Sequence, residues 1–333
     1  MPRSRIMSTS LDRRRILGGL TGTAALLGLS ACGVSESSDS NKGDKSDKKG
    51  EGAGDGGARS VKTDDGTVEV PRKAERVVVT DNYAALMLLE LGLVPVGVPD
   101  GTAVQTLMPE KDYARLKDVK TVGAAGTPNS QAIATLKPDL IIDQFYRAKT
   151  KPLGDIAPVA FFDWGTSGAL WHEQVAKVAR AVGREDELTG LKKRYETRLK
   201  EVRTKYRKQI ATSTWAPLSG GPSGKFFLGT PLVTVMREVG LKIGAGLPDD
   251  EAGFVTRSYE EIDVLDDCTA LIYPVQFDGK PTPTTKQLLD QKLWKKVPAV
   301  KAGRAFTSKH FLMPNYTFAL GAVDEIEGML QKL

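Results

Sequence analysis

The stretch "EDELTGLKKRYETRLKEVRTKYRK", residues 185–208, decides the architecture. It contains no proline, and Leu191, Tyr195, Leu199, Val202 and Tyr206 recur at spacings of three and four. That spacing predicts one long amphipathic helix with a single apolar stripe and a heavily charged outer face. At a rise of about 1.5 Å per residue, its twenty-odd residues extend roughly 30 Å, the size of a small domain. A helix of that length is suited to bridging two lobes.

Both flanks supply a lobe. Upstream, "RVVVTD" (76–81), "VPVGVP" (94–99), 139–143 and "PVAFFDW" (158–164) read as strands. They alternate with helices over "YAALMLLELGL" (83–93), closed by Gly92, and "NSQAIATL", broken at Pro138. Downstream, "TSTWAPLSG", "KFFLG", "TALIYPVQF" (269–277) and "RAFTSK" read as strands, and "PLVTVMREVGL", "QLLDQKLWKKV" and "YTFALGAVDEIEGMLQKL" as helices. Short apolar runs alternating with helices imply α/β lobes on mostly parallel sheets. The fold class is therefore α/β, two Rossmann-like lobes (61–184 and 210–333) joined by a single long helix (185–209).

The first sixty residues do not belong to that fold. Arg13, Arg14 and Arg15 precede "ILGGLTGTAALLGL", an apolar run of the length of a secretory h-region and too short for a comfortable membrane span. "RRRIL" resembles a twin-arginine signal, with Asp12 where Ser or Thr is usual, so export runs by that route or the general secretory one. Leu29-Ser30-Ala31-Cys32 resembles a lipobox, which makes residues 1–32 a signal peptide and Cys32 the lipidated first residue of the mature chain. Residues 33–60 are almost wholly polar and read as a disordered linker. The expected location is the outer face of the cytoplasmic membrane, held by lipid at Cys32.

Composition removes several function classes. Of the formal charge of +6, residues 1–32 carry +4 through five arginines and one aspartate, so no nucleic-acid footprint remains in the mature chain. With Cys32 consumed, Cys268 has no disulfide partner and reads as a small buried hydrophobe. Two histidines, His172 and His310, lack metal-ligand spacing. "GGPSGK" (220–225) misses a phosphate loop at Ser219 and Phe226, and no nucleophile elbow or dinucleotide fingerprint is present.

In sheets of this kind ligands bind beyond the carboxyl ends of the strands. The residues there are Asp81, Asn82, Tyr83, Gln144, Phe145, Tyr146, Arg147 and Trp164 in the first lobe. In the second they are Phe226, Phe227, Phe254, Arg257, Tyr273, Phe277, His310 and Phe311. The selected ligand-binding set is Tyr83, Tyr146, Arg147, Trp164, Phe227, Arg257, Tyr273, Phe277, His310 and Phe311. No catalytic residue is assigned.

The segments "ERVVVTD…ALMLLELGLVPVGV", "PNSQAIATLKPDLII", "IAPVAFF", "YEEIDVLDDCTALIY" and "LWKKVPAVKAGRAF" resemble the iron-siderophore and cobalamin substrate-binding proteins of ABC importers, the helical-backbone class. The resemblance implies a ferric siderophore held in the interlobe cleft, an importer permease as partner and a monomeric chain. It implies no cofactor, because the chelator itself holds the iron and the protein makes no direct metal bond. Aromatic rings with one or two arginines suit a hydroxamate of the ferrioxamine type, and Arg147 is the leading donor to the chelating oxygens. Catecholates, whose ferric complexes are triply negative, call for several cations. The family's permease-docking glutamate is replaced in the first lobe by Gln131, leaving Glu238 or Glu260 in the second. A haem or cobalamin receptor, with Tyr83 or His310 as an axial haem ligand, is the alternative, and a cell-surface enzyme a more distant one.

Overall fold

The computed structural model describes residues 57–247, 253–312 and 314–333. The predicted signal segment, Cys32 and most of the linker lie outside them. The linker reading overran its end: β1 (Ala58–Thr63) and β2 (Gly66–Pro71) pair as an antiparallel hairpin. β1 thus takes in Ala58, Arg59 and Ser60 from the predicted linker.

The first lobe follows with β3 (Val77–Val79), α1 (Asn82–Glu90), β4 (Gly97–Val98), α2 (Glu110–Leu116), β5 (Lys120–Thr121), the small hairpin β6 (Gly123–Ala124) and β7 (Thr127–Pro128), α3 (Ser130–Thr135), β8 (Leu140–Asp143), α4 (Arg147–Thr150), β9 (Val159–Phe161) and α5 (Trp171–Val182). Among the described residues, its main sheet is parallel throughout, in the order β5-β4-β3-β8-β9. Strands covered on both faces need unbroken apolar runs, which explains Val77-Val78-Val79 and Leu140-Ile141-Ile142, all buried.

The connecting helix α6 runs over Glu185–Lys205. All five stripe residues are buried, and Leu188 joins them. Each such side chain contributes about 1.5–3 kcal/mol relative to exposure. The helix is interrupted at Tyr206 (φ −110°, ψ 25°), and a short α7 (Arg207–Thr212) continues beyond it. The rod is thus two pieces, and the break falls where the Tyr206 ring is buried and its hydroxyl accepts from Gln331 at 2.9 Å.

The second lobe comprises β10 (Thr214–Gly220), β11 (Lys225–Leu228), α8 (Leu232–Val239), β12 (Lys242–Ile243), β13 (Val255–Ser258), a 3₁₀ stretch Tyr259–Leu265, β14 (Ala270–Pro274), α9 (Pro283–Leu289), α10 (Pro298–Lys301), β15 (Ala305–Ser308) and α11 (Tyr316–Leu330). Its sheet is mixed, β13-β11-β10-β14-β15 with β12 on β10, because β11 and β13 are antiparallel additions to a parallel centre. The predicted helix over "QLLDQKLWKKV" is not continuous. Thr282 caps α9 and Pro283 opens it, so the helix begins and ends earlier, and a separate 3₁₀ turn holds Trp294.

One apolar core crosses the lobe boundary, with α1, α5, α6, α8 and α11 all contributing. At its centre Trp171 of α5, Tyr195 of α6 and Tyr316 of α11 meet edge to face at 4.8–5.7 Å between ring centres. Asn315 caps α11 and donates to the Leu86 carbonyl at 2.9 Å, while Glu90 of α1 accepts from the Tyr316 and Thr317 N–H groups at 3.2 and 2.9 Å. The lobes are therefore tied by helix ends as well as by the rod.

Candidate ligand cleft

The first-lobe half of the site is a wall of rings. Tyr83 lies 5.6 Å from Phe145 and 5.3 Å from Trp164, Phe145 lies 5.9 Å from Trp164, and Tyr146 lies 6.2 Å from Phe145. These four residues follow the carboxyl ends of β3, β8 and β9. Phe145 and Tyr146 are each more than a third exposed, unusual for rings that have a core within reach. The Tyr146 ring lies over Gly126, where φ is +78° and a Cβ would come within 2.9 Å of it. Any larger residue at that turn displaces the ring.

Two buried carboxylates hold this wall from beneath. Asp143, at the end of β8, accepts from the N–H groups of Phe145 at 2.8 Å and Tyr146 at 2.5 Å, and from the Thr80 hydroxyl at 2.5 Å. Asp81 caps α1 by accepting from the N–H groups of Tyr83 and Ala84, both at 2.9 Å. Burial pushes the Asp81 carboxyl up to about 7; the Ala84 N–H opposes the shift and nearby Asp143 adds to it. Its second oxygen has no hydrogen-bond partner among the described residues.

The second-lobe half is a cavity of about 380 Å³. Phe227, Phe254, Phe311 and Leu312 supply its apolar surface, and Ser219, Thr282 and Thr285 its polar atoms. No charged residue lines it among the described residues. Phe227 and Phe254 meet edge to face at 5.5 Å. Gly220 lets α9 close the cavity from below, since a Cβ there would lie 2.0 Å from the Thr284 carbonyl oxygen.

Of the ten residues selected from sequence, the structure gathers Tyr83, Tyr146 and Trp164 in the wall and Phe227 and Phe311 in the cavity. It gives the other five different contacts. Arg147 is engaged by Asp65 at 2.9 Å and by the Asp64 carbonyl at 3.1 Å, with its guanidinium over Phe161. Arg257 pairs in register with Phe226, whereas Phe227 pairs with Thr256. Directly opposed residues share a face, so Arg257 lies on the core side with buried Phe226, away from Phe227, and pairs there with Glu261. Tyr273 lies on that same core face and packs edge-on against Trp294. Phe277 sits at the lobe junction, its N–H donating to the Thr106 carbonyl at 2.8 Å. His310 is wedged between Phe277 and Phe318, its Nδ1 3.0 Å from Glu325.

Phe145 and Phe254 stood among the strand-end candidates but not in the selected ten, and Leu312 was in neither. All three are large exposed apolar side chains beside residues that were chosen, and exposure is what separates them from candidates packed in the core. Among the described residues no group of three or more His, Cys, Asp or Glu is placed to hold a metal ion. No described helix is long and apolar enough to cross a membrane.

Two α/β lobes, one connecting helix and ring-lined surfaces at the strand ends of both are the architecture of a substrate-binding protein. The sequence profile of the periplasmic binding protein family matches residues 77–310, and the chain belongs to that family. It is 30% identical over 297 residues to the probable siderophore-binding lipoprotein YfiY of Bacillus subtilis, covering 84% of this chain and 86% of that one. It is 28% identical over 198 residues to the Fe(3+) dicitrate-binding periplasmic protein FecB of Escherichia coli, covering 57% of this chain and 64% of that one. Among solved structures, the siderophore periplasmic binding protein from the fuscachelin gene cluster of Thermobifida fusca superposes with a TM-score of 0.69 at 30% identity. That match covers 79% of this chain and 99% of the other.

Proposed function

We propose that this protein is an extracytoplasmic, lipid-anchored receptor that binds a ferric siderophore between its lobes and delivers it to an ABC importer. The ligand we favour is a trihydroxamate of the ferrioxamine type, with the iron wrapped by the chelator and no protein atom bonded to it. One observation carries the ligand class: ring-rich surfaces stand at the strand ends of both lobes, and the arginines beside them, Arg147 and Arg257, are each paired with a carboxylate. The second-lobe cavity has no charged lining among the described residues, and Arg147 is held by a carboxylate. Rings pack against the methylene backbone of a hydroxamate chelate, while the serine and threonine hydroxyls can serve its amide oxygens. A triply negative ferric catecholate or an anionic ferric citrate would meet the buried Asp143 carboxylate beneath the wall and an Arg147 already paired with Asp65.

Tryptophan fluorescence tests this reading, since Trp164 stands in the wall. Ferrioxamine should quench at sub-micromolar concentration, and ferric catecholates, ferric citrate and cobalamin should not. Tighter binding of ferric citrate than of ferrioxamine overturns the hydroxamate assignment. Of the two axial ligands a haem-binding reading could use, the His310 ring is held by Glu325, which leaves Tyr83 of the wall to supply it. A Soret band on haem titration would favour that reading.

Anchoring rests on the Leu29–Cys32 lipobox and on the lipoprotein designation of the Bacillus subtilis relative. For permease docking, Glu260 is the better second-lobe candidate. It is exposed beside the Ser258 cap, matching Gln131 beside the Asn129 cap in the first lobe. Glu238 instead accepts a hydrogen bond from Tyr195 on the connecting helix. Iron uptake should fall after Glu260→Arg and stay near normal after Gln131→Ala; unchanged uptake in both removes the docking role.

A further inference from the structure

The turn of the N-terminal hairpin lies over the end of β9 beside the ring wall. The Asp64 N–H donates to the Phe161 carbonyl at 3.0 Å, and its carboxylate accepts from the Asp163 N–H at 2.8 Å and pairs with Lys177 at 2.9 Å. Asp65 pairs with Arg147 at 2.9 Å, and Arg147 also donates to the Asp64 carbonyl. Both carboxylates of the turn therefore face cations, and Arg147 directly follows Tyr146 of the wall.

We infer that the Asp64–Asp65 turn is a specificity element of the ligand site, cancelling the positive charge beside the first-lobe wall and thereby selecting against multiply anionic ferric chelates. The inference rests on the ferric-siderophore reading above. Arg147 and Asp65 are about half and one-third exposed, so neither is locked by its partner, and the pairing itself adds little stability. What the turn controls is the field. Asp64 and Asp65, with Asp163 at the end of β9, offset Arg147 and Lys177 whether or not each pair is closed at a given instant, over a Debye length of about 8–10 Å at physiological salt. Sequence alone presents Arg147 as a free donor; the hairpin converts it into a neutral pair. A triply negative complex arriving at this rim gains no net attraction, while a neutral or singly positive trihydroxamate complex loses nothing.

Asp65→Asn separates charge from anchoring, because the contacts that seat the turn on β9 belong to Asp64. Wild type, D65N and D65N/R147Q are titrated with ferrioxamine B and with a ferric tris-catecholate, in low salt and in 1 M NaCl. D65N should raise tris-catecholate affinity on the order of three- to tenfold in low salt, with the gain collapsing in high salt. Ferrioxamine affinity should change by less than about twofold, as a polar rim substitution warrants. The double variant should lose the gain. An unchanged ratio of affinities in D65N, or a gain that survives loss of Arg147, overturns the inference while leaving the siderophore reading intact if wild type still binds ferrioxamine. Wild type that binds no ferric chelate overturns both.

Discussion

The two halves of the cleft are built by different means. In the first lobe, Tyr83 in the first turn of α1 and Phe145 and Tyr146 after β8 are fixed by hydrogen bonds from their own backbone N–H groups to the buried carboxylates Asp81 and Asp143. In the second, Phe227 is fixed by strand register and Phe311 by burial, and the polar atoms are hydroxyls. The first wall depends on charge and the second on packing. One ligand surface can therefore respond to pH and to neighbouring charges while the other provides constant apolar contact.

The sharpest way to break this contrast is to remove one support from each half. Asp143→Ala removes a fully buried carboxylate and leaves the Phe145 and Tyr146 N–H groups without their acceptor and the Thr80 hydroxyl with only the Ile142 carbonyl at 3.4 Å. It should cost about 3 kcal/mol or more in denaturant unfolding, at 1–3 kcal/mol for each orphaned buried group. Thr285→Ala removes an acceptor for the Gly220 N–H and should cost about 1 kcal/mol. Equal costs would mean that the two walls are supported alike. Next come the rings themselves: Trp164→Ala and Phe227→Ala should each weaken ferrioxamine binding about tenfold, the equivalent of one ring contact near 1.4 kcal/mol. Loss confined to one of them, measured by calorimetry, would show that a single lobe carries the affinity.

The pH dependence should differ in sign between the lobes. Burial raises Asp81 and Glu90 to about 7 in the folded chain, from ordinary values of 3.8 and 4.5. Between those limits the folded state keeps protons that the unfolded state has released. Their contribution is thus complete at acid pH and is lost as pH rises toward 7, with a slope of up to about 1.4 kcal/mol per unit for each group. Glu325 in the second lobe behaves oppositely. Burial alone would raise it, but hydrogen bonds from His310 and Ser308 outweigh that and hold it below 4.5. Its contribution is present above its ordinary value and disappears as pH falls through the lowered one. Asp81→Asn should flatten the stability profile between pH 4 and 7, and Glu325→Gln should flatten only the acid limb. A profile that Asp81→Asn leaves unchanged contradicts the assignment of that slope.

What could be read from the chain follows from the same physics. The connecting helix was legible because Leu191, Tyr195, Leu199, Val202 and Tyr206 place five apolar groups on one face, and all five are buried. Its interruption at Tyr206 was not, because Lys205-Tyr206-Arg207 carries no helix-breaking residue. The rings of the cleft were found from their position after strands. Which way they point was not, since a strand reverses its side chains at every residue: Phe227 enters the cavity while its neighbour Phe226 and the paired Arg257 take the other face. The capture of Arg147 depends on a hairpin some eighty residues away, a contact with no local signature.

The smallest expected effect concerns the distance between the walls. Their difference matters for selectivity only if they keep a constant spacing, and the lobe boundary is built to keep it. The Trp171–Tyr195–Tyr316 cluster joins both lobes to the rod, Glu90 engages the start of α11, and the core continues across the junction. A hinge closing through a large angle would have to expose that core, at roughly 25 cal/mol for every Å² uncovered. The radius of gyration from small-angle scattering should therefore change by less than about 1 Å on adding ferrioxamine, well short of a hinge closure. A contraction of several ångströms would show that the interruption at Tyr206 acts as a hinge, and the fixed pairing of a charge-supported wall with a packed one would no longer hold.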